Sequence, residues 1–105
     1  MKIQITEATE RDVAVILDLI RQLAEYERLS DRVTATEDQL RKTLFGARPA
    51  AEALLAAVDG ETVGFAVFFS NYSTFLAKPG LYLEDLFVKP HSRRRARIWN
   101  NTPRD

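Results

Sequence analysis

Two adjacent carboxylates, Glu84 and Asp85, stand inside an otherwise apolar stretch, LYLEDLFV. Successive residues of a strand point to opposite faces, so the pattern predicts that one of the two faces inward. A carboxylate there is costly unless it is paired, hydrogen-bonded or wetted by a cleft. In a cleft it could hold a cationic amine, or take its proton through water. The structural alternative is that one carboxylate caps an edge and the other is solvated. Tyr26 and Glu27 end the stretch LIRQLAEYE and, on spacing alone, read as an ordinary amphipathic terminus. His91 reads as an exposed loop residue. Nothing in the chain resembles a metal site or a nucleophile–base pair.

These residues need elements to position them. KIQITEA alternates Ile3 and Ile5 with polar residues, which predicts a first strand. Thr9 then offers a helix cap with Asp12 as its capping-box partner. Val13, Ile16, Leu17, Ile20, Leu23 and Ala24 follow at helical spacing. A second helix is predicted over TEDQLRKTLFG, with Thr36 and Gln39 as capping box, Leu40, Leu44 and Phe45 as apolar stripe and Gly46 as stop. Two apolar runs joined by Asp59-Gly60 predict a hairpin, because both turn residues tolerate positive φ. NYSTFLAKPG reads as a loop before the last strand, LYLEDLFVKP. The order is β-α-α-β-β-β, an α+β (α/β) class with a mainly antiparallel sheet. Phe65, Val67 and Phe69 share one face of their strand, Ala66 and Phe68 the other. Both faces are apolar, so both call for cover, and two helices cover only one.

Composition narrows the function. The 105 residues include no cysteine, which removes disulfides and thiolate metal sites. No apolar run approaches the ~18 residues of a membrane span. The start, MKIQITEATERD, is too polar for a signal peptide, and a cytoplasmic protein without membrane contact is expected. The net charge of +0 is unevenly spread. Residues 1–90 carry ten Lys or Arg against fourteen Asp or Glu, a balance of −4; residues 91–105 carry five Arg against one Asp, a balance of +4. The acidic body favours small cations over nucleic acid.

The segments LIRQLAEYERL, TEDQLRKTLFG and VGFAVFFSNYSTFLAKPGLYLEDLFV resemble the GNAT superfamily of N-acetyltransferases, and within it the diamine (spermidine/spermine) N-acetyltransferases. The resemblance covers residues 1–90 and implies the N-terminal half of the GNAT fold. It implies acetyl-CoA as cosubstrate, a small cationic amine as acceptor, and direct attack of the amine on the thioester. By position, Tyr26 and Glu27 match residues lining the polyamine site. Glu84 matches the catalytic carboxylate that contacts the amine and relays its proton through water, and Asp85 is its acidic neighbour. Leu86, Phe87 and Val88 match the stretch whose backbone pairs with the pantetheine arm. A non-catalytic fragment that associates with a partner chain over the open sheet face is the alternative, and a homodimer is among the expected partner states.

After LFVKP the family pattern is R/Q-x-x-G-x-G/A, whose glycines let backbone N–H groups approach a pyrophosphate at a helix N-terminus. Here the stretch is HSRRRARIWNN, without glycine. Read from the second codon base, Trp99 is forced to glycine and the stretch can be written G-x-G-F-G-T-T-L-L. The segment 91–105 is therefore expected to be an aberrant basic tail, disordered or frame-shifted, with truncation and a genuine tail as the other readings. The Arg run with Trp99 as a nucleic-acid contact is the least favoured of these. The family's thiolate-protonating Tyr belongs to its second half, so weak or absent acetyl-CoA binding and little activity are expected of this chain.

Overall fold

A computed structural model describes residues 2–92, and the expectations for the tail from Arg93 onward fall outside the described residues. Strand β1 (Ile3–Glu7) leads through a 3₁₀ turn into helix α1 (Val13–Tyr26). A second 3₁₀ turn (Ser30–Arg32) precedes helix α2 (Glu37–Phe45), and β2 (Glu52–Val58), β3 (Glu61–Ser73) and β4 (Lys78–Val88) follow. The four strands form one sheet in the order β1-β2-β3-β4, antiparallel throughout. The β-α-α-β-β-β order read from the sequence is the observed one.

Local chemistry explains the helix ends. The Thr9 N–H donates to the Asp12 carboxylate at 2.7 Å. The Thr36 N–H donates to Gln39 Oε1 at 3.0 Å, and the Gln39 N–H donates back to Thr36 Oγ1 at 3.2 Å, a complete capping box. Helix α1 ends with the Leu29 N–H on the Ala24 carbonyl and the Arg28 N–H on the Glu25 carbonyl. That is a Schellman closure, and its left-handed residue is Arg28 (φ 61°), where glycine is usual.

The helices cover one face of the sheet. Ile16, Leu19 and Leu44 pack there against Ala53, Leu55, Phe65 and Phe87. Leu19 lies outside the expected stripe and is buried because α1 meets α2 as well as the sheet. Asp59 (φ 50°) and Gly60 (φ 87°) make the β2–β3 turn, both in the left-handed region that a two-residue hairpin uses. The Lys2 N–H donates to the Asp59 carboxylate at 2.7 Å and ties β1 to this turn.

Two expectations are corrected. NYSTFLAKPG is mostly strand: Asn71, Tyr72 and Ser73 pair with Gly80, Pro79 and Lys78, and only residues 74–77 turn. Pro79 is tolerated because, among the described residues, β4 is an edge strand. The second correction bears on the carboxylates. Val67 pairs with Asp85 but Phe68 with Leu83, so Glu84 is the extra residue of a β-bulge. Alternation does not run through LYLEDLFV. Tyr82 faces the helix side with Phe69, their rings 5.1 Å apart, and Asp85 faces it with Val67. Leu81, Leu83 and Leu86 turn to the opposite face and are 68%, 53% and 66% exposed. Among the described residues the open apolar face anticipated from the sequence lies mainly on β4.

Candidate functional site

The bulge shapes the site. Counting outward from Tyr82 and inward from Asp85, Glu84 and Asp85 fall toward the same face instead of opposite ones. Asp85 is half-buried beside the core, and Glu84 is exposed at its rim. The expected inward carboxylate is thus Asp85, with Glu84 outside it.

The end of α1 meets this stretch of β4. The Tyr26 ring lies 6.3 Å from the Phe87 ring at 58°, and Phe87 in turn makes an edge contact with Phe65 at 6.4 Å. Glu27, the C-cap of α1, lies near enough to act on Asp85. Burial raises the Asp85 carboxyl above the usual carboxylate range, and the charges of Glu84 and then Glu27 raise it further. Tyr26, Glu27, Glu84 and Asp85 are therefore gathered where α1 ends and β4 bulges. Among the described residues no group of three His, Cys, Asp or Glu side chains could hold a metal ion.

The three residues after the carboxylates have different surroundings. Leu86 lies on the open face, Phe87 is 2% exposed in the core, and Val88 is half-buried opposite Gly64. A Cβ at Gly64 would come within 2.6 Å of the Phe87 carbonyl oxygen, so glycine permits the close approach of β3 to this part of β4. Pro90, His91 and Ser92 are helical one residue after β4, so His91 lies in a helical turn rather than in a loop. It is exposed, 3.9 Å from Glu61.

A pH prediction follows from Asp85. Its carboxyl is raised in the folded chain, so the fold binds more protons than the unfolded chain between the two pKa values. The Asp85 contribution to stability is therefore fully present below about pH 4, the unfolded value, and is lost as pH rises through the folded one. Asp85→Asn is expected to raise the melting temperature at neutral pH and to lose that advantage in acid. Thermal melts of both chains across pH check it; an advantage that persists unchanged in acid would contradict it.

The comparisons agree with this architecture. The family model of the acetyltransferase (GNAT) family matches residues 15–96. A thialysine N-epsilon-acetyltransferase of Bos taurus is 42% identical over 99 residues, covering 87% of this chain and 58% of the bovine protein. A spermidine/spermine N(1)-acetyltransferase-like protein of Homo sapiens is 36% identical over 92 residues, covering 81% of this chain and 13% of the human one. Among solved structures, a ribosomal-protein-alanine N-acetyltransferase from Brucella melitensis superposes with a TM-score of 0.70 at 22% identity, over 91% of this chain and 63% of that one. The chain belongs to the GNAT acetyltransferase family. It spans a little over half the length of the bovine relative.

The bulge is what sequence reasoning missed. Its signal was the apolar spacing Leu81, Leu83, Leu86, in which the period slips by one residue at the carboxylates.

Proposed function

We propose that this chain carries the amine-binding half of an N-acetyltransferase that moves acetyl from acetyl-CoA to a primary amine of a small cationic substrate, of diamine or polyamine type. The observation that carries this reading is the gathering of Glu27, Glu84 and Asp85 at one place on an otherwise apolar edge. Three carboxylates there repel one another, and a cation bearing more than one ammonium relieves that repulsion. The names of the relatives, one acting on thialysine and one resembling spermidine/spermine enzymes, support an acceptor of this kind.

An ammonium must lose a proton before its nitrogen can attack. Glu84, exposed at the bulge, is the group we assign to take that proton through water. Asp85 and Glu27 hold the cation and set the local field, and Tyr26 closes the site against Phe87. Acetyl-CoA supplies the activated acyl group. The residues present fit its pantetheine arm in one respect: Leu86, Phe87 and Val88 lie on the outermost strand among the described residues, and a helical turn begins at Pro90, one residue after it. The tail that would meet its pyrophosphate contains no glycine, so the 105-residue chain is expected to have little or no activity by itself. A non-catalytic role through a partner chain is the second reading, favoured by the exposed leucines of β4.

The test uses the chain extended through the remaining GNAT elements. Glu84→Gln is expected to lower kcat about a hundredfold, with KM for acetyl-CoA little changed. An unchanged rate would reduce Glu84 to a structural residue and remove the proposal.

A further inference from the structure

Helix α1 ends at Tyr26, beside Phe87, but the sheet face it covers runs on beyond it. On that face β3 and β4 present three successive pairs: Val67 with Asp85, Phe69 with Tyr82, and Asn71 with Gly80. Val67 packs against the core, and among the described residues neither Phe69 nor Tyr82 belongs to it. The Phe69 and Tyr82 rings lie 5.1 Å apart at 34°. The third pair is polar on one side and bare on the other. A Cβ at Gly80 would come within 2.5 Å of Asn71 Oδ1, so the Asn71 amide oxygen lies across a position that glycine leaves open. A carboxylate, an aromatic ring and an amide oxygen therefore follow one another in a line.

We infer that this line seats a short diamine, with one ammonium among Glu27, Glu84 and Asp85, the methylene stem on the Tyr82 ring, and the second ammonium donating to Asn71 Oδ1. The inference deepens the acceptor reading and rests on it. The length fits. Val67, the partner of Asp85, and Asn71 are four residues apart on β3, about 13 Å at ~3.3 Å per residue. A hydrogen bond of about 3 Å at each end leaves about 7 Å between the two nitrogens, the reach of a short diamine. The chemistry fits as well. A tyrosine ring receives an alkyl stem on its face and attracts the cation at the end of it. The Asn71 amide oxygen is an acceptor for the distal ammonium. Lys78, opposite Ser73, is the next position of β4 on this face, and its charge disfavours an ammonium beyond Asn71. Tyr82 and Asn71 are thereby specificity-determining residues, which favour a diamine over a monoamine and give a longer polyamine no advantage. A cross-strand aromatic pair that served only to hold the hairpin together would make no such distinction.

Titration of the 105-residue chain with a four-carbon diamine and with the four-carbon monoamine, followed by amide chemical shifts, tests this. The diamine is expected to move the amides of Phe69, Asn71 and Tyr82, and the monoamine to leave them in place. Tyr82→Leu and Asn71→Ala are each expected to raise the diamine dissociation constant about fivefold and to change that of the monoamine less than about twofold. Tyr82→Phe keeps the ring and is expected to bind the diamine as the parent chain does. Equal weakening of both amines, unaltered diamine binding in both variants, or Tyr82→Phe binding as weakly as Tyr82→Leu would each overturn the inference and leave the carboxylate site standing. Failure of both amines to bind the parent chain would remove that site and this inference together.

Discussion

Replacing Phe87 by alanine is expected to destabilise the domain by about 3–5 kcal/mol, whereas Leu86→Ala next to it should cost less than about 0.5 kcal/mol. The contrast comes from the bulge. Phe87 is 2% exposed and joins the core at the point where α1, β3 and β4 meet. Its ring touches both Phe65 and Tyr26, so truncation opens a cavity lined by rings that cannot collapse together. Leu86 points to the open face and is mostly in water already. For a domain of this size the Phe87 variant should melt about 15 °C lower or not fold at all. Urea titration of the two variants measures the difference. Equal losses would mean that β4 runs in another register and that Asp85 does not face the helices.

Acetyl-CoA added to the 105-residue chain is expected to give no saturable heat at physiological salt. A pyrophosphate is held by backbone N–H groups that reach it at close range, which needs glycine where the chain turns into a helix. The glycines of this chain are Gly46, Gly60, Gly64 and Gly80, all before that turn. Arginines stand in their place, and a side-chain cluster without a shaped pocket attracts phosphates only loosely and yields to salt. Titration calorimetry checks this. Low-micromolar, salt-insensitive binding would show that the basic tail makes a phosphate site of its own.

Features set by local chemistry could be read from the sequence. The Asp59-Gly60 turn was legible because few residues enter the left-handed region cheaply, and two such residues in succession specify a hairpin. The capping boxes at Thr9 and Thr36 were legible because each is a three-residue contact. The extent of the β3–β4 hairpin was not. Pro79 and Gly80 read as loop residues, yet an edge strand accommodates a proline and cross-strand pairing with Tyr72 and Asn71 overrides propensity. The left-handed residue of that turn is Ala77 (φ 53°), which offers no signal at all. The site divides in the same way. Glu84 and Asp85 stood out as charges inside an apolar strand, but their common direction is a property of register. The convergence of Tyr26 and Glu27 on them is a property of how α1 crosses the sheet, and only the family resemblance pointed to it.

The central claim is that the end of α1 and the bulge of β4 form one site for a cationic amine. Amide chemical shifts of the 105-residue chain, followed during titration with a simple diamine, test it most directly because they need neither catalysis nor acetyl-CoA. The account predicts saturable shifts centred on Tyr26, Glu27, Glu84 and Asp85, weakened by added salt and lost when Glu27 and Asp85 are both neutralised. Shifts spread evenly over the acidic surface, or centred away from these four residues, would contradict it.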